Sequence, residues 1–476
     1  MAKTIALPMW FVAALVFLSA WALLFKILLP GLRWIFKKRE ELFVREISRR
    51  LNLTFPAIQF AGKRAVVERL LSDPDVMQAI DESARELKIP PGEVARIAEG
   101  YAREIVPSFH AYVYYLCGRR LGIFLSRLLY RVRVGFVDED GLAMIRPQSS
   151  VVFLMNHRSN MDYLILGYLT MNRTALSFAV GEWARVWPIK PLVKAMGAYF
   201  VRRHSGDVLY RRVLASYVQY VTRGGLVQAV YPEGKLSRDG KLHDPKVGIL
   251  DYMLRGFDPG GERDVVFVPV GINYDRVLED RTLLSEGDPA APKGRRHAFL
   301  TTLSFLGRAF WLMARGGWHR CGYAIACFGQ PVSMKDYAKT LGLDLRKLSK
   351  DERRLPLQNL ARVLFQRVGQ NVPTSPVSLV ASIFSKDPGR LYSITEIETR
   401  VRDLMTLVER NGGHVYIPRK DRGYTVQVGL RMLTLRHIVL KEEGGFRASP
   451  KESKILRYYA DSISHLAGGN QGTTGQ

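Results

Sequence analysis

Cysteine is nearly absent: Cys117, Cys321 and Cys327 are the only three in 476 residues. So few cannot build a disulfide framework or a metal-ligand cluster. The thiols are expected to be reduced, as in a body that faces the cytosol. Acidic residues are also scarce, 44 against 70 lysines and arginines, which leaves a formal net charge of +26 and a pI near 10.0. A chain this basic is drawn to polyanions: nucleic acid, anionic membrane, or phosphorylated substrates and carriers. No internal repeat is visible, and hydrophobic residues make up 47%, so neither a solenoid nor a disordered chain fits.

One apolar run is long. Ile5 to Phe25 carries no charge and is long enough to span a hydrocarbon core of about 30 Å. It exceeds the apolar region of a secretory signal, and only Lys3 precedes it. Arg33, Lys37, Lys38 and Arg39 follow, which by the positive-inside rule puts the remainder in the cytoplasm. Residues 1–35 therefore read as a membrane anchor in the inner membrane.

Residues 36–145 read as helical. Asp73-Pro74 has the form of an N-cap followed by proline, and Pro90-Pro91-Gly92 opens a second helix with apolar residues at helical spacing. Ser108 to Tyr130 mixes Tyr112, Tyr114, Tyr115 and Phe124 with Arg119, Arg120, Arg127 and Arg131, a pattern suited to the interface of an anionic membrane. It equally suits a core helix with a solvated basic side.

From 146 to 372 the pattern changes to short apolar runs alternating with helical stretches. This predicts an α/β fold, a mixed and largely parallel sheet with flanking helices. Expected strands are Val151–Met155, Ala198–Val201, Leu226–Tyr231, Val265–Val270 and Tyr323–Phe328. Phe299 to Met313 is apolar but contains Arg308, so it reads as packed or interfacial. Gly369 to Pro376 is rich in turn residues, and beyond it 377–466 reads as a small helical or α+β domain. The tail 467–476 reads as disordered.

Four expected strands end in polar residues. Val151–Met155 runs into His157 and Asp162, and Ala198–Val201 into Arg202 and Arg203. Leu226–Tyr231 runs into Pro232-Glu233-Gly234-Lys235-Leu236-Ser237-Arg238. The fourth, containing Pro269, runs into Gly271-Ile272-Asn273-Tyr274. Ligands of open α/β sheets collect at the carboxyl ends of strands, so these clusters can share one crevice. His157 can take a proton from an alcohol while Asp162 orients the ring. Arginines suit bidentate phosphate binding, and Gly234 allows close backbone approach to an anion. No cysteine lies near, and Ser159 sits two residues from the base without an elbow pattern, so direct attack by a bound alcohol is the simpler chemistry.

In this order the blocks resemble the glycerolipid acyltransferase superfamily, in particular its membrane-bound glycerol-3-phosphate acyltransferases. The His-x4-Asp block matches His157 to Asp162, the second block Gly197 to Arg203, the third Tyr231 to Arg238, and the fourth Val268 to Tyr274. The resemblance implies that His157 deprotonates the sn-1 hydroxyl of glycerol 3-phosphate with Asp162 as its partner. It implies acyl-CoA or acyl-carrier protein as co-substrate, no cofactor and no metal. Substrate contacts are expected from Ser159, Arg202, Arg203, Glu233, Gly234, Lys235, Ser237 and Arg238, and donor contacts from Pro269. Anionic membrane lipids are the expected surroundings, and no nucleic acid is expected.

Leu236 stands where the family's glycerol-3-phosphate enzymes usually carry arginine, and Pro232 is more typical of its lysophosphatidate branch. Lys235, Arg202 or Lys246 would then supply the charge. A lysophosphatidate or related lysophospholipid acyltransferase is the nearest alternative. A basic nucleic-acid-binding protein with a winged-helix-like C-terminal unit is the alternative of another class, and Arg400, Arg402, Arg410, Arg419 and Arg422 would serve it.

Overall fold

Strand Ser150–Met155 (β2) shows why a sheet forms in the middle of the chain. Its alternation sends Val152 and Leu154 into one hydrophobic cluster and Phe153 and Met155 into another, so both faces are buried. The computed structural model describes residues 62–109, 118–170, 176–180, 189–202, 206–285 and 320–468, with Ser19 and Gly307 besides. The expected anchor, the aromatic residues Tyr112 to Tyr115, the run Phe299–Met313, the greater part of the tail and Arg203 lie outside the described residues. Among the described residues no helix is long and apolar enough to cross a membrane.

The other strands are Arg131–Val137 (β1), Ser177–Val180 (β3), Ala198–Phe200 (β4), Gln228–Val230 (β5), Val265–Tyr274 (β6), Tyr323–Phe328 (β7) and Val332–Ser333 (β8). They form one eight-stranded sheet in the order β1-β7-β6-β2-β5-β3-β4, with β8 pairing β6. Strands β6, β2, β5, β3 and β4 run parallel, while β7 and β8 oppose β6. The sheet is thus mixed and largely parallel, and the carboxyl ends of β2 to β6 lie on one side.

Strands β1, β3 and β6 depart from the expected pattern. Strand β1 lies within the stretch read as helical. Its Arg-Val alternation follows an amphipathic helix directly, and its hydrogen-bond partner β7 is remote in the chain, so nothing local marks it. Arg131 pairs with Tyr323 in the register, and most of β1 is solvent-exposed because it forms the sheet edge. Strand β3 is too short to stand out. Strand β6 is longer than expected. It pairs with β2 as far as Val270, then continues along β7 to Tyr274.

Helices cover both faces. On one side lie Val208–Arg223, Gly248–Leu254 and Arg354–Gln370, backed by the N-terminal helices Lys63–Leu71, Pro74–Leu87 and Pro91–Ile105. Asp73 caps the second of these by accepting from Asp75 N–H. On the other face lie Asp162–Thr170 and the C-terminal unit. That unit is α+β. Helices Pro376–Lys386, Ile394–Arg410, Arg422–Leu435 and Ser453–Asp461 surround the hairpin Val439–Glu442 (β9) and Gly445–Ala448 (β10). Ser375 opens it with a capping box, and the helix after it is buried along nearly its whole length. The unit shares one hydrophobic cluster with β2, β6 and β7, so it is welded to the sheet.

Candidate functional site

The site begins where β2 ends. Beyond Met155 the chain leaves the ladder, and Asn156 replaces it with a side chain. Its Nδ2 donates to Ile272 O at 2.9 Å, and its Oδ1 accepts from Ile272 N–H at 2.8 Å. This pins the next residue, His157, beside the long half of β6. Asp162 opens the following helix and folds back over the loop. Its Oδ2 accepts from Arg158 N–H at 2.8 Å and Ser159 N–H at 3.1 Å, and stands 2.8 Å from His157 Nδ1. Its Oδ1 accepts from the Tyr274 hydroxyl at 2.5 Å.

An oxygen that already takes two backbone N–H groups acts as an acceptor, so Nδ1 carries the proton and Nε2 keeps the free lone pair. Tyr274 is fully buried. Burial and the charge of Asp162 push its phenol well above the ordinary range, which keeps it a donor. The His157 ring leans on Tyr231 at 4.1 Å and meets the edge of Tyr163 at 5.8 Å. Only 6% of its side chain is exposed, so the ring sits in a nearly water-free setting.

The next loop is strapped to this one. Glu233 is buried, and its carboxylate accepts from His157 N–H at 3.1 Å and His243 N–H at 3.2 Å. Burial raises its pKa, against the pull of Arg158 and these N–H donors. Ser237 N–H donates to His157 O at 3.0 Å, and the Ser237 hydroxyl turns to Lys241 O at 2.8 Å. Gly234 has φ +70°, a conformation that favours glycine, and sits at the surface with Lys235 and Arg238. Lys246 N–H donates to Pro232 O, and its ammonium would lie 3.5 Å from a Cβ at Gly234. Gly234, Lys235, Arg238 and Lys246 therefore present backbone and cations to solvent beside the histidine.

Five expected contacts are corrected. Ser159 is fully buried and its hydroxyl donates to Glu279 at 2.7 Å, so it has no free reach to a substrate. Arg202 is clamped by Glu104 at 3.0 and 2.6 Å and stacked between Tyr101 and Tyr210. It holds the end of β4 and is neutralised there. Glu233 and Ser237 shape their loop from within. Pro269 is buried within β6, where its carbonyl accepts from Gly329 N–H, and has no surface to offer a donor.

Three supports were not legible beforehand. Tyr274 lies in the fourth polar cluster, but only the fold brings it to Asp162. Glu279 accepts from Ser159, from Asn160 N–H at 3.2 Å and from Asn160 Nδ2 at 3.1 Å. Arg158, buried next to the histidine, donates to Gly240 O and to Ser462 O at 3.3 Å. Ser462 also meets Asn273 Nδ2 at 3.3 Å, and Tyr459 donates to Asp280 at 2.5 Å. The C-terminal unit thus grips both sides of the histidine loop. Beside it, Tyr163, Leu164, Gly167, Tyr168, Leu176 and Phe178 line an apolar cleft between helices Asp162–Thr170 and Arg119–Leu129.

Residues 137–273 match a family model described as acyltransferase, and residues 310–467 one described as the C-terminal region of glycerol-3-phosphate acyltransferase. A glycerol-3-phosphate acyltransferase of Xylella fastidiosa (strain M23) is 25% identical over 442 residues, covering 89% of this chain and 49% of the relative. Its namesake in Pseudomonas syringae pv. tomato is 29% identical, covering 72% of this chain and 42% of its own. The chain spans about half the length of the curated relatives it matches. The crystal structure of a 1-acyl-sn-glycerophosphate acyltransferase from Thermotoga maritima aligns at 18% identity with a TM-score of 0.29, covering 52% of this chain and 76% of that one.

Proposed function

We propose, from the premise that this chain belongs to the glycerolipid acyltransferase superfamily, that it moves a fatty acyl group from acyl-CoA or acyl-carrier protein to the sn-1 hydroxyl of glycerol 3-phosphate. The product is lysophosphatidic acid, and the step is the first of phospholipid synthesis. The observation that carries this reading is the His157–Asp162 pair, 2.8 Å apart at the end of β2 and opening beside a loop of cations.

The chemistry runs through the free Nε2. It takes the hydroxyl proton as the alcohol oxygen attacks the thioester carbonyl, and Asp162 stabilises the imidazolium. Collapse of the tetrahedral intermediate expels the thiolate, which recovers the proton from Nε2. No serine needs to be acylated, because Ser159 is held by Glu279. Lys235, Arg238 and Lys246, with the N–H groups around Gly234, suit a phosphate dianion, with Lys246 near the charge missing at Leu236. Purified full-length protein, given one labelled acyl-CoA, should show a higher kcat/KM for glycerol 3-phosphate than for lysophosphatidate. Arg238→Ala should raise the KM for glycerol 3-phosphate more than that for the donor. The reverse acceptor order would leave the chemistry and change the acceptor. Leu236 packs against the core, which favours that second reading.

The apolar cleft beside Tyr163 suits the acyl chain. A Cβ at Gly167 would meet nothing within 4 Å, so a larger side chain would project into the cleft. Gly167→Leu should shorten the preferred acyl-CoA, measured as kcat/KM across a chain-length series. An unchanged profile would place the chain elsewhere. The protein is read as held at the cytoplasmic face of the inner membrane. Supporting this, Leu121 and Phe124 are exposed on the helix Arg119–Leu129, among the exposed Arg120 and Arg127.

A further inference from the structure

At the far edge of the sheet, two lysines crowd one carbonyl. Lys63 Nζ donates to Arg103 O at 2.7 Å, and Lys194 Nζ donates to the same oxygen at 3.1 Å. Arg103 lies in the last turn of helix Pro91–Ile105, where a single cation would satisfy the free carbonyl. A second ammonium in that place is repelled by the first. Lys190, one turn before Lys194, adds its charge to both. Among the described residues none of these lysines makes an ion pair; Arg103 is taken by Glu99 at 2.5 Å, and Glu104 by Arg202. Burial first, then Lys63 and Lys190, lowers Lys194 to about 8. Among the described residues Glu104 also acts on Lys194 but is committed to Arg202, so the cluster carries more cations than anions.

Its position says which anion. Lys194 Nζ lies over the Phe200 ring at 5.7 Å, at the carboxyl end of β4. Carried through β3 and β5, the register puts Phe200 level with Met155, two residues before His157. Three strand spacings separate them, about 14 Å. Glycerol 3-phosphate has only three carbons between its sn-1 hydroxyl and its phosphate, too few to bridge that gap with the hydroxyl at His157. A pantetheine arm, which separates a thioester from its phosphate ester, has the reach.

Resting on the acyl-transfer reading above, we propose that Lys63, Lys190 and Lys194 form a phosphate site for the acyl donor, seating the phosphate ester at the end of its pantetheine arm. Lysines act here as point charges on a phosphate dianion. The full-length K63A/K194A double variant should bind CoA itself on the order of tenfold more weakly by calorimetry. Wild-type protein should prefer acyl-CoA to phosphate-free acyl-pantetheine, and the double variant should lose that preference with the KM for glycerol 3-phosphate unchanged. K63R/K194R should restore it. Lys190 is exposed, so K190A leaves the fold intact and should weaken CoA severalfold even if the double variant unfolds. Equal CoA affinity in wild type and K190A, or equal shifts in donor and acceptor KM, overturns the site. Loss of sedimentation with phosphatidylglycerol vesicles while CoA binding persists overturns it in favour of a lipid headgroup. Lysine-dependent CoA binding without acylation of glycerol 3-phosphate upholds the site and sinks the acceptor reading instead.

Discussion

His157→Ala should abolish nearly all turnover, by about 10²- to 10⁴-fold or more in kcat, while the protein still melts cooperatively. The ring's job depends on its outer nitrogen. Asp162 occupies Nδ1, which leaves Nε2 as the basic atom at the mouth of the site. Among the described residues no second imidazole is placed to replace it; His243, on the neighbouring loop, is turned to Asp239 at 3.0 Å. The fold should tolerate the change, because Tyr231 and Tyr163 keep their other contacts; Tyr163 donates to Ala179 O at 2.6 Å and lies against Phe178. Turnover near the wild-type rate, from protein with an unchanged melting temperature, would sink the mechanism.

Asp162→Asn should be nearly as damaging, on the order of 10⁴-fold in kcat if the pair behaves as other Asp–His pairs do. Asp162 accepts on both oxygens: Arg158 N–H, Ser159 N–H and His157 on one, Tyr274 on the other. An asparagine has only one acceptor oxygen. If that oxygen faces the loop, its NH₂ meets the Tyr274 hydroxyl, which can then no longer donate to this residue, and the charge that stabilises the imidazolium is gone in either orientation. Tyr274→Phe separates the two effects. It keeps the carboxylate and removes one charge-assisted hydrogen bond, so kcat should fall about tenfold with both KM values held. If Tyr274→Phe were as severe as Asp162→Asn, the phenol would have to touch the reacting groups, and Asp162 would no longer be the main partner. Both variants are read from kcat at saturating acyl-CoA and glycerol 3-phosphate, with melting temperature as the control for folding.

The sequence by itself determined the parts of this protein that are local. The apolar runs of β2, β6 and β7 announce buried strands, because a strand covered on both faces must be apolar throughout. Asp73-Pro74 marks a helix start, because caps are chemistry of adjacent residues. The His157–Asp162 pair is legible because a loop of five residues can return a carboxylate to its own imidazole. Tertiary structure decided what depends on residues distant in the chain. It placed β1 in the sheet through β7, put the Tyr274 hydroxyl on Asp162 and Glu279 on Ser159, and used Ser462 to hold Arg158. It also withdrew Arg202 from the expected cation set by pairing it with Glu104, and placed Lys246 beside Gly234 instead. An arginine in a sequence is an available charge; whether it meets a ligand or a carboxylate of its own chain is settled by which helix packs against its strand.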